Sequence, residues 1–229
     1  MKKLSGILIL VFVSTILIAQ TKQNRDVADF DYVSFAISGD LIIIQGSKNE
    51  VILEGDQEDL EKIETVVSGN KLRIKSVNNS WSWTNNMGKI KATVTLKNFS
   101  GLSVSGSGKA TSQGTLKGGE VDLGVSGSGD IDLTLEASDI DCGISGSGSI
   151  YLKGSGKTGS LSISGSGKMD AADYEIESMS ISISGSGSAS IFATKEIDSR
   201  ISGSGTVRYK GDPDKISNRA SGSGKLKKM

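Results

Sequence analysis

The chain has 229 residues, with 26 basic and 26 acidic side chains and no histidine. Lys and Arg are spread along it rather than gathered into a stripe, which argues against a nucleic-acid binder. The missing histidine removes Ser-His-Asp and Cys-His catalysis and His-based zinc sites, and a single cysteine, Cys142, rules out an intrachain disulfide.

Met1, Lys2 and Lys3 precede an apolar run over residues 4–19 that ends on Ala19, and polar residues follow from Gln20. A charged start, an apolar stretch and a small residue at the cut are the pattern of a signal peptide over residues 1–20. The run is short for a membrane span, and an uncleaved anchor helix is the alternative. No cysteine follows it before Cys142, so the pattern for lipid attachment is missing. The expectation is an exported protein, periplasmic, outer-membrane-associated or extracellular, with no stable membrane span after cleavage. Without Lys2 and Lys3 the balance is 24 basic to 26 acidic residues, a net charge of −2.

Residues 28–100 read as a strand-rich N-terminal cap or first coils. Residues 41–44 and 51–53 flank the turn Gly46-Ser47-Lys48-Asn49 and predict a hairpin, while residues 71–75 and 89–96 alternate as strands. Residues 57–65 carry helical spacing in Leu60 and Ile63. Trp81 and Trp83 lie in the polar stretch 78–88 and are the only tryptophans. On one side of a strand they either plug the first coil or form a platform for a sugar or a protein partner.

From residue 101 to 229 the chain repeats. Ser-Gly-Ser-Gly begins at Ser105, Ser126, Ser145, Ser164, Ser184, Ser202 and Ser221, with spacings between 18 and 21. The residue before each motif is Val104, Val125, Ile144, Ile163, Ile183, Ile201 or Ala220; two residues beyond it stands Ala110, Ile131, Ile150, Met169, Ala189, Val207 or Leu226. Apolar residues continue at every second position in most repeats, which predicts strands on both sides of the motif. One such unit cannot bury its apolar face alone, so coils must stack, with strands in parallel about 4.8 Å apart. The prediction is an all-β protein, a single-stranded right-handed parallel β-helix (β-solenoid) with coils of about 20 residues. Right-handedness is favoured because left-handed hexapeptide solenoids keep a strict sixfold spacing. Continued alternation would put both glycines of the corner inward and its serines outward in two ladders whose hydroxyls can bond along the stack. Lys225, Lys227 and Lys228 follow the last motif and are expected to guard the final edge, and no translocation barrel is expected.

The seven motifs, with the upstream echo Ile37-Ser38-Gly39, resemble the bacterial family of auto-transporter adhesins with a head GIN domain, over roughly residues 28–225. The resemblance implies a right-handed parallel β-helix related in shape to pectin lyases, one continuous domain and a role in adhesion. It supplies no catalytic residues.

Chemistry-bearing patterns are few. Gly154-Ser155-Gly156-Lys157-Thr158-Gly159 fits G-x-G-x-x-G but runs into a strand rather than a helix, so no helix N-terminus stands ready for a pyrophosphate. Asp130, Asp132, Asp139 and Asp141 form the densest carboxylate group and are expected on one outer face of two neighbouring coils, as a solvated face rather than a calcium site. Cys142, beside Ile144, is expected to be buried and inert. No catalytic residue, metal or cofactor is expected. The leading expectation is a non-enzymatic adhesion or interaction module that contacts glycan or a surface protein, with Trp81 and Trp83 as the candidate contact residues. Flat solenoid faces also offer a route to a homo-oligomer. The alternatives are a structural envelope protein and a polysaccharide-acting enzyme of pectin-lyase shape.

Overall fold

The computed structural model describes residues 21–77 and 89–229. The expected signal peptide, Trp81 and Trp83 lie outside the described residues. The first part holds β1 (Thr21–Arg25), β2 (Tyr32–Ala36), β3 (Asp40–Gln45), β4 (Glu50–Gly55), α1 (Gln57–Leu60), β5 (Ile63–Ser68), β6 (Lys71–Ser76) and β7 (Lys91–Leu96). The repeats form β8 (Gly101–Gly106), β9 (Lys109–Gly127), β10 (Asp130–Gly146), β11 (Ser149–Gly165), β12 (Lys168–Gly185) and β13 (Ser188–Gly203), ending in β14 (Thr206–Lys210), β15 (Lys215–Gly222) and β16 (Lys225–Lys228). No helix among the described residues is long and apolar enough to cross a membrane.

The parallel β-solenoid predicted by the repeat is present. From β9 to β13 each coil stacks in parallel on the next, with motif on motif: Ser126 aligns with Ser145, Ser145 with Ser164, and Ser164 with Ser184. The apolar positions therefore become columns. Leu41, Ala110, Ile131, Ile150, Met169, Ala189 and Val207 follow one another inward after the corner, all fully or nearly fully buried. Phe35, Val104, Val125, Ile144, Ile163, Ile183 and Ile201 do so before it. The polar return expected between strands is itself strand, because the main-chain ladder continues across it. Alternation slips there by one residue: Ala137 and Ile140 both point inward around Ser138, and that slip is a second corner.

The two glycines of the corner do different jobs. The first has positive φ in all seven motifs, from 87° at Gly106 to 119° at Gly146, a region that side-chain-bearing residues avoid. The second alone is inward: a Cβ on Gly148 would lie 2.3 Å from the carbonyl oxygen of Gly129 and 2.5 Å from Val125 Cγ1. Main-chain bonds carry the ladder through the turn, such as Ser147 N–H to Gly127 O (2.9 Å) and Ser149 N–H to Gly129 O (3.1 Å). Among the described residues no hydrogen bond joins two motif serines, so the hydroxyl ladders do not hold the corner.

The cap departs from the sequence reading in two places. β3 and β4 do not form a hairpin; β7 lies between them, parallel to β3 and antiparallel to β4. The predicted helix is a single turn, α1, because Ile63 already opens β5, which pairs antiparallel with β6. Ile37-Ser38-Gly39 is a true first corner, with Gly39 O accepting from Lys109 N–H at 2.9 Å. By contrast, Val67-Ser68-Gly69 is the tight turn between β5 and β6, with Gly69 at φ 62°.

Candidate functional site

The strand segments before the Ser-Gly-Ser-Gly corner form one outer face whose side chains fall into columns. The column two residues before the motif reads Arg73, Ser34, Ser103, Gly124, Gly143, Ser162, Ser182, Arg200 and Arg219. The next column reads Lys71, Tyr32, Gly101, Asp122, Asp141, Ser160, Ser180, Asp198 and Ser217. Most of these side chains are no longer than a hydroxymethyl group, so the face has low relief. A shallow hollow lies over Gly124 and Gly143, edged by Ser103, Ser105, Ser126, Ser145, Ser162 and Ser164, and a second lies between Ser182, Arg200 and Arg219.

Neither glycine in that hollow is required by the fold. Both have ordinary negative-φ strand backbone, a Cβ on Gly143 would meet nothing within 4 Å, and one on Gly124 would meet only Ser103 Cβ at 3.7 Å. A glycine inside a strand weakens it, so packing within the chain does not account for either of these two.

Carboxylates border the hollow. Asp122 and Asp141 sit on adjacent rungs, and Glu120 and Asp139 lie one outward position further along the same strands. Ser160 Oγ donates to Asp141 Oδ1 at 2.6 Å, and the Thr158 hydroxyl donates to Asp139. Tyr32 reaches Asp122 at 3.5 Å, the long limit of a hydrogen bond, while the Lys71 ammonium sits 4.0 Å from the Tyr32 ring centroid. Burial pushes the Asp122 carboxyl above the ordinary carboxylate range; the Asp141 charge adds to this and Lys71 opposes it. Burial likewise raises the Tyr32 phenol.

Of the four aspartates grouped from the sequence, the fold separates two pairs. All four belong to the single strand β10, not to neighbouring coils. Asp130 and Asp132 follow the corner, beside Lys109 and Thr111, whereas Asp139 and Asp141 precede the next corner, beside Glu120 and Asp122. The sequence reading missed the second corner, which falls between the two pairs. Cys142 is fully buried, and burial pushes its thiol far up, with Asp141 and Asp122 adding to the shift; such a thiol is not a nucleophile. Glu120, Asp122, Gly124, Gly143, Arg200 and Arg219 were not singled out from the sequence. Aligning the repeats on their motifs would have shown the column in which Gly and Arg interrupt a run of Ser.

A stacked-coil scaffold with one low-relief, hydroxyl-lined face defines the class: a parallel β-solenoid with shallow hollows on its sheet. The family model described as "Putative auto-transporter adhesin, head GIN domain" matches residues 29–213, and the chain belongs to that family. Among solved structures it is similar to a putative adhesin of Bacteroides fragilis, at 24% identity over 92% of this chain and 97% of that one, with a TM-score of 0.85. A putative adhesin of Parabacteroides distasonis is similar at 24% identity over 92% and 97%, TM-score 0.74. A putative lipid binding protein of the same organism is similar at 26% identity over 92% and 97%, TM-score 0.72. No curated protein matches the sequence.

Proposed function

We propose that this protein is an exported, non-enzymatic adhesion module that binds glycan or protein at the cell surface through the face over Gly124 and Gly143. The observation that carries the reading is the pair of glycines that the fold does not need, set among serine hydroxyls and carboxylates on a flat sheet. Hydroxyls donate and accept, carboxylates accept, and the low relief lets an extended partner lie close. Family membership supports adhesion and an exported, surface-exposed place. The chemistry favours binding over turnover, since the carboxylates lie on an open face and are partnered by hydroxyls. Trp81 and Trp83 are proposed as a second contact that widens the same binding role.

Two measurements test this. Binding of the purified protein to glycan arrays and to envelope proteins should weaken in Gly143→Leu, which puts a side chain into the hollow from a position where a Cβ meets nothing within 4 Å, and in the Trp81→Ala, Trp83→Ala double variant. Normal binding in Gly143→Leu would remove the face from the function. Cleavage of uronate polymers to an unsaturated product by the purified protein would overturn the non-enzymatic reading.

A further inference from the structure

The column that runs through Gly124, Gly143, Ser162 and Ser182 ends on Arg200 and Arg219. These two arginines are partners across the parallel ladder between β13 and β15, about 4.8 Å apart at the backbone. Like charges set directly opposite on neighbouring strands oppose pairing. The four rungs before them manage with serine or glycine, and both arginines are exposed, so the sheet gains nothing from the pair. They border the second hollow of the face, about 510 Å³, whose outward edges are otherwise the hydroxyls of Ser182, Ser184, Ser202 and Ser221.

The charges around this hollow do not cancel. Arg200 donates from one terminal nitrogen to Asp198 Oδ2 at 2.7 Å, which holds the guanidinium in place, and its other N–H groups make no hydrogen bond among the described residues. Lys215 is taken up by Glu196 at 2.6 Å. Arg219 has neither an ion pair nor a hydrogen bond from its side chain among the described residues. One positive charge is therefore left over, shared by two guanidiniums beside four hydroxyls. We propose that this hollow binds one oxyanion group of a glycan, a carboxylate or a sulfate ester, clamped between Arg200 and Arg219. The proposal rests on the reading of the face as a glycan-contacting surface and names the class of glycan, an acidic one. A guanidinium presents its donors as a planar fork that matches such oxygens, and two forks one rung apart can hold the same group from both sides. The serine hydroxyls donate to and accept from the hydroxyls of the sugar ring. No aromatic side chain of the kind that protein partners bury lines the hollow, which favours a sugar. Asp141 beside Gly143 lies on β10, three rungs or about 14 Å from Arg200 on β13, so a glycan that follows the column places its acidic group at the arginines and uncharged residues over the glycines.

Arrays that carry neutral, uronate-bearing and sulfated oligosaccharides, probed with the purified protein, test it. The expected result is at least tenfold tighter binding of acidic glycans than of their neutral counterparts, weakening as salt rises. Retention on the uronate arm alone names the carboxylate as the group, and retention on the sulfated arm alone names the sulfate ester. The double variant Arg200→Ser, Arg219→Ser restores the residue type of the column, so it should lose the preference at an unchanged or higher melting temperature. The double variant Lys109→Ser, Lys153→Ser removes the same charge from two exposed positions beyond the corner and should keep the preference. Equal binding of acidic and neutral glycans, a preference that survives in the arginine variant, or an equal loss in the lysine variant would overturn the proposal. If glycans bind without an acidic preference and Gly143→Leu removes that binding, the contact face stands and only the oxyanion site falls. If the arginine variant loses acidic binding that Gly143→Leu leaves intact, the oxyanion site stands and the hollow over Gly143 drops out of the function. Absence of binding to every glycan class removes this site together with the glycan half of the contact reading.

Discussion

A Cβ on Gly148 has no room, whereas one on Gly143, five residues earlier on the same coil path, points into open space. The two glycines therefore respond oppositely to the same methyl group. Gly148→Ala should cost about 1–3 kcal/mol, since the obstruction includes the main-chain carbonyl of Gly129, which cannot swing aside. Gly143→Ala should be neutral or stabilising by about 0.5–1 kcal/mol, the amount by which alanine outperforms glycine in a strand. Urea midpoints of the two variants check this, and a loss in Gly143→Ala comparable to that in Gly148→Ala would mean that the hollow is structural. The neighbouring carboxylate gives a prediction in pH. Asp122 has a raised pKa in the folded protein, so folding favours its protonated form. Its ionisation then opposes folding, with nothing lost below the unfolded carboxylate range near pH 4 and the penalty growing as pH rises through that range to the folded pKa. Asp122→Asn should raise the melting temperature at pH 7, and the gain should vanish at about pH 3. A lower melting temperature for the asparagine variant at pH 7 would show that the carboxylate is held by partners stronger than the burial that opposes it.

At the scale of a single coil, β11 is the narrow one. It has Gly154, Gly156 and Gly159 where β10 has Leu135, Ala137 and Ile140 and where β12 has Tyr174, Ile176 and Met179. The larger side chains of the coils above and below fill the space that these glycines leave, with the Tyr174 hydroxyl oxygen 2.6 Å from where a Cβ on Gly156 would stand. The resemblance to a nucleotide-binding pattern thus has a steric origin. Gly154 is the strict member: φ is 125° and its Cβ would lie 2.1 Å from Leu135 O. Gly159 is the lenient one, because its Cβ would meet the ends of Ile176, Ile140 and Met179, and the methionine can shift. Gly154→Ala should lower the melting temperature well beyond Gly159→Ala, and equal losses would refute the packing account. The same coil shows what the sequence makes legible. Columns flanking each motif are readable because a period of two residues and a period of about 19 residues act on the same positions. What a given row does depends on the sizes of side chains one coil away on both sides, and that needs the register. Long-range pairing also explains the cap: residues 41–44 and 51–53 look like a hairpin locally, but β7, forty residues on, inserts between them. Trp81 and Trp83 were selected for rarity of type, whereas Gly124 and Gly143 are ordinary residues in an unusual column, and only stacking shows that the column is a surface.

For the whole molecule, each coil touches little beyond its two neighbours, so stability behaves as a sum of coil and interface contributions rather than as one indivisible core. The stack tolerates small changes of coil length: the register between β9 and β10 shifts between Asp132 and Thr134, and that between β12 and β13 shifts twice, while the motifs remain aligned. This makes the unit of deletion a complete coil. Removing residues 126–144 joins Val125 to Ser145, so that β9 would be followed by the corner that precedes β11. Ser149 then stacks on Lys109 and Leu161 on Leu123, and both apolar columns remain unbroken. The shortened protein should fold cooperatively, keep its strand content by circular dichroism, and lose about 5 Å of length in solution scattering, the thickness of one rung. Its stability should fall by one coil and one interface, not vanish. Removing residues 126–135 instead deletes one corner and about half a coil, so the corner glycines that follow fall against mid-strand residues, and that variant should fail to form the solenoid. Equal tolerance of the two deletions would mean that the motif does not set the register, and the argument that the corner glycines are fixed by the coil beneath them would fall with it.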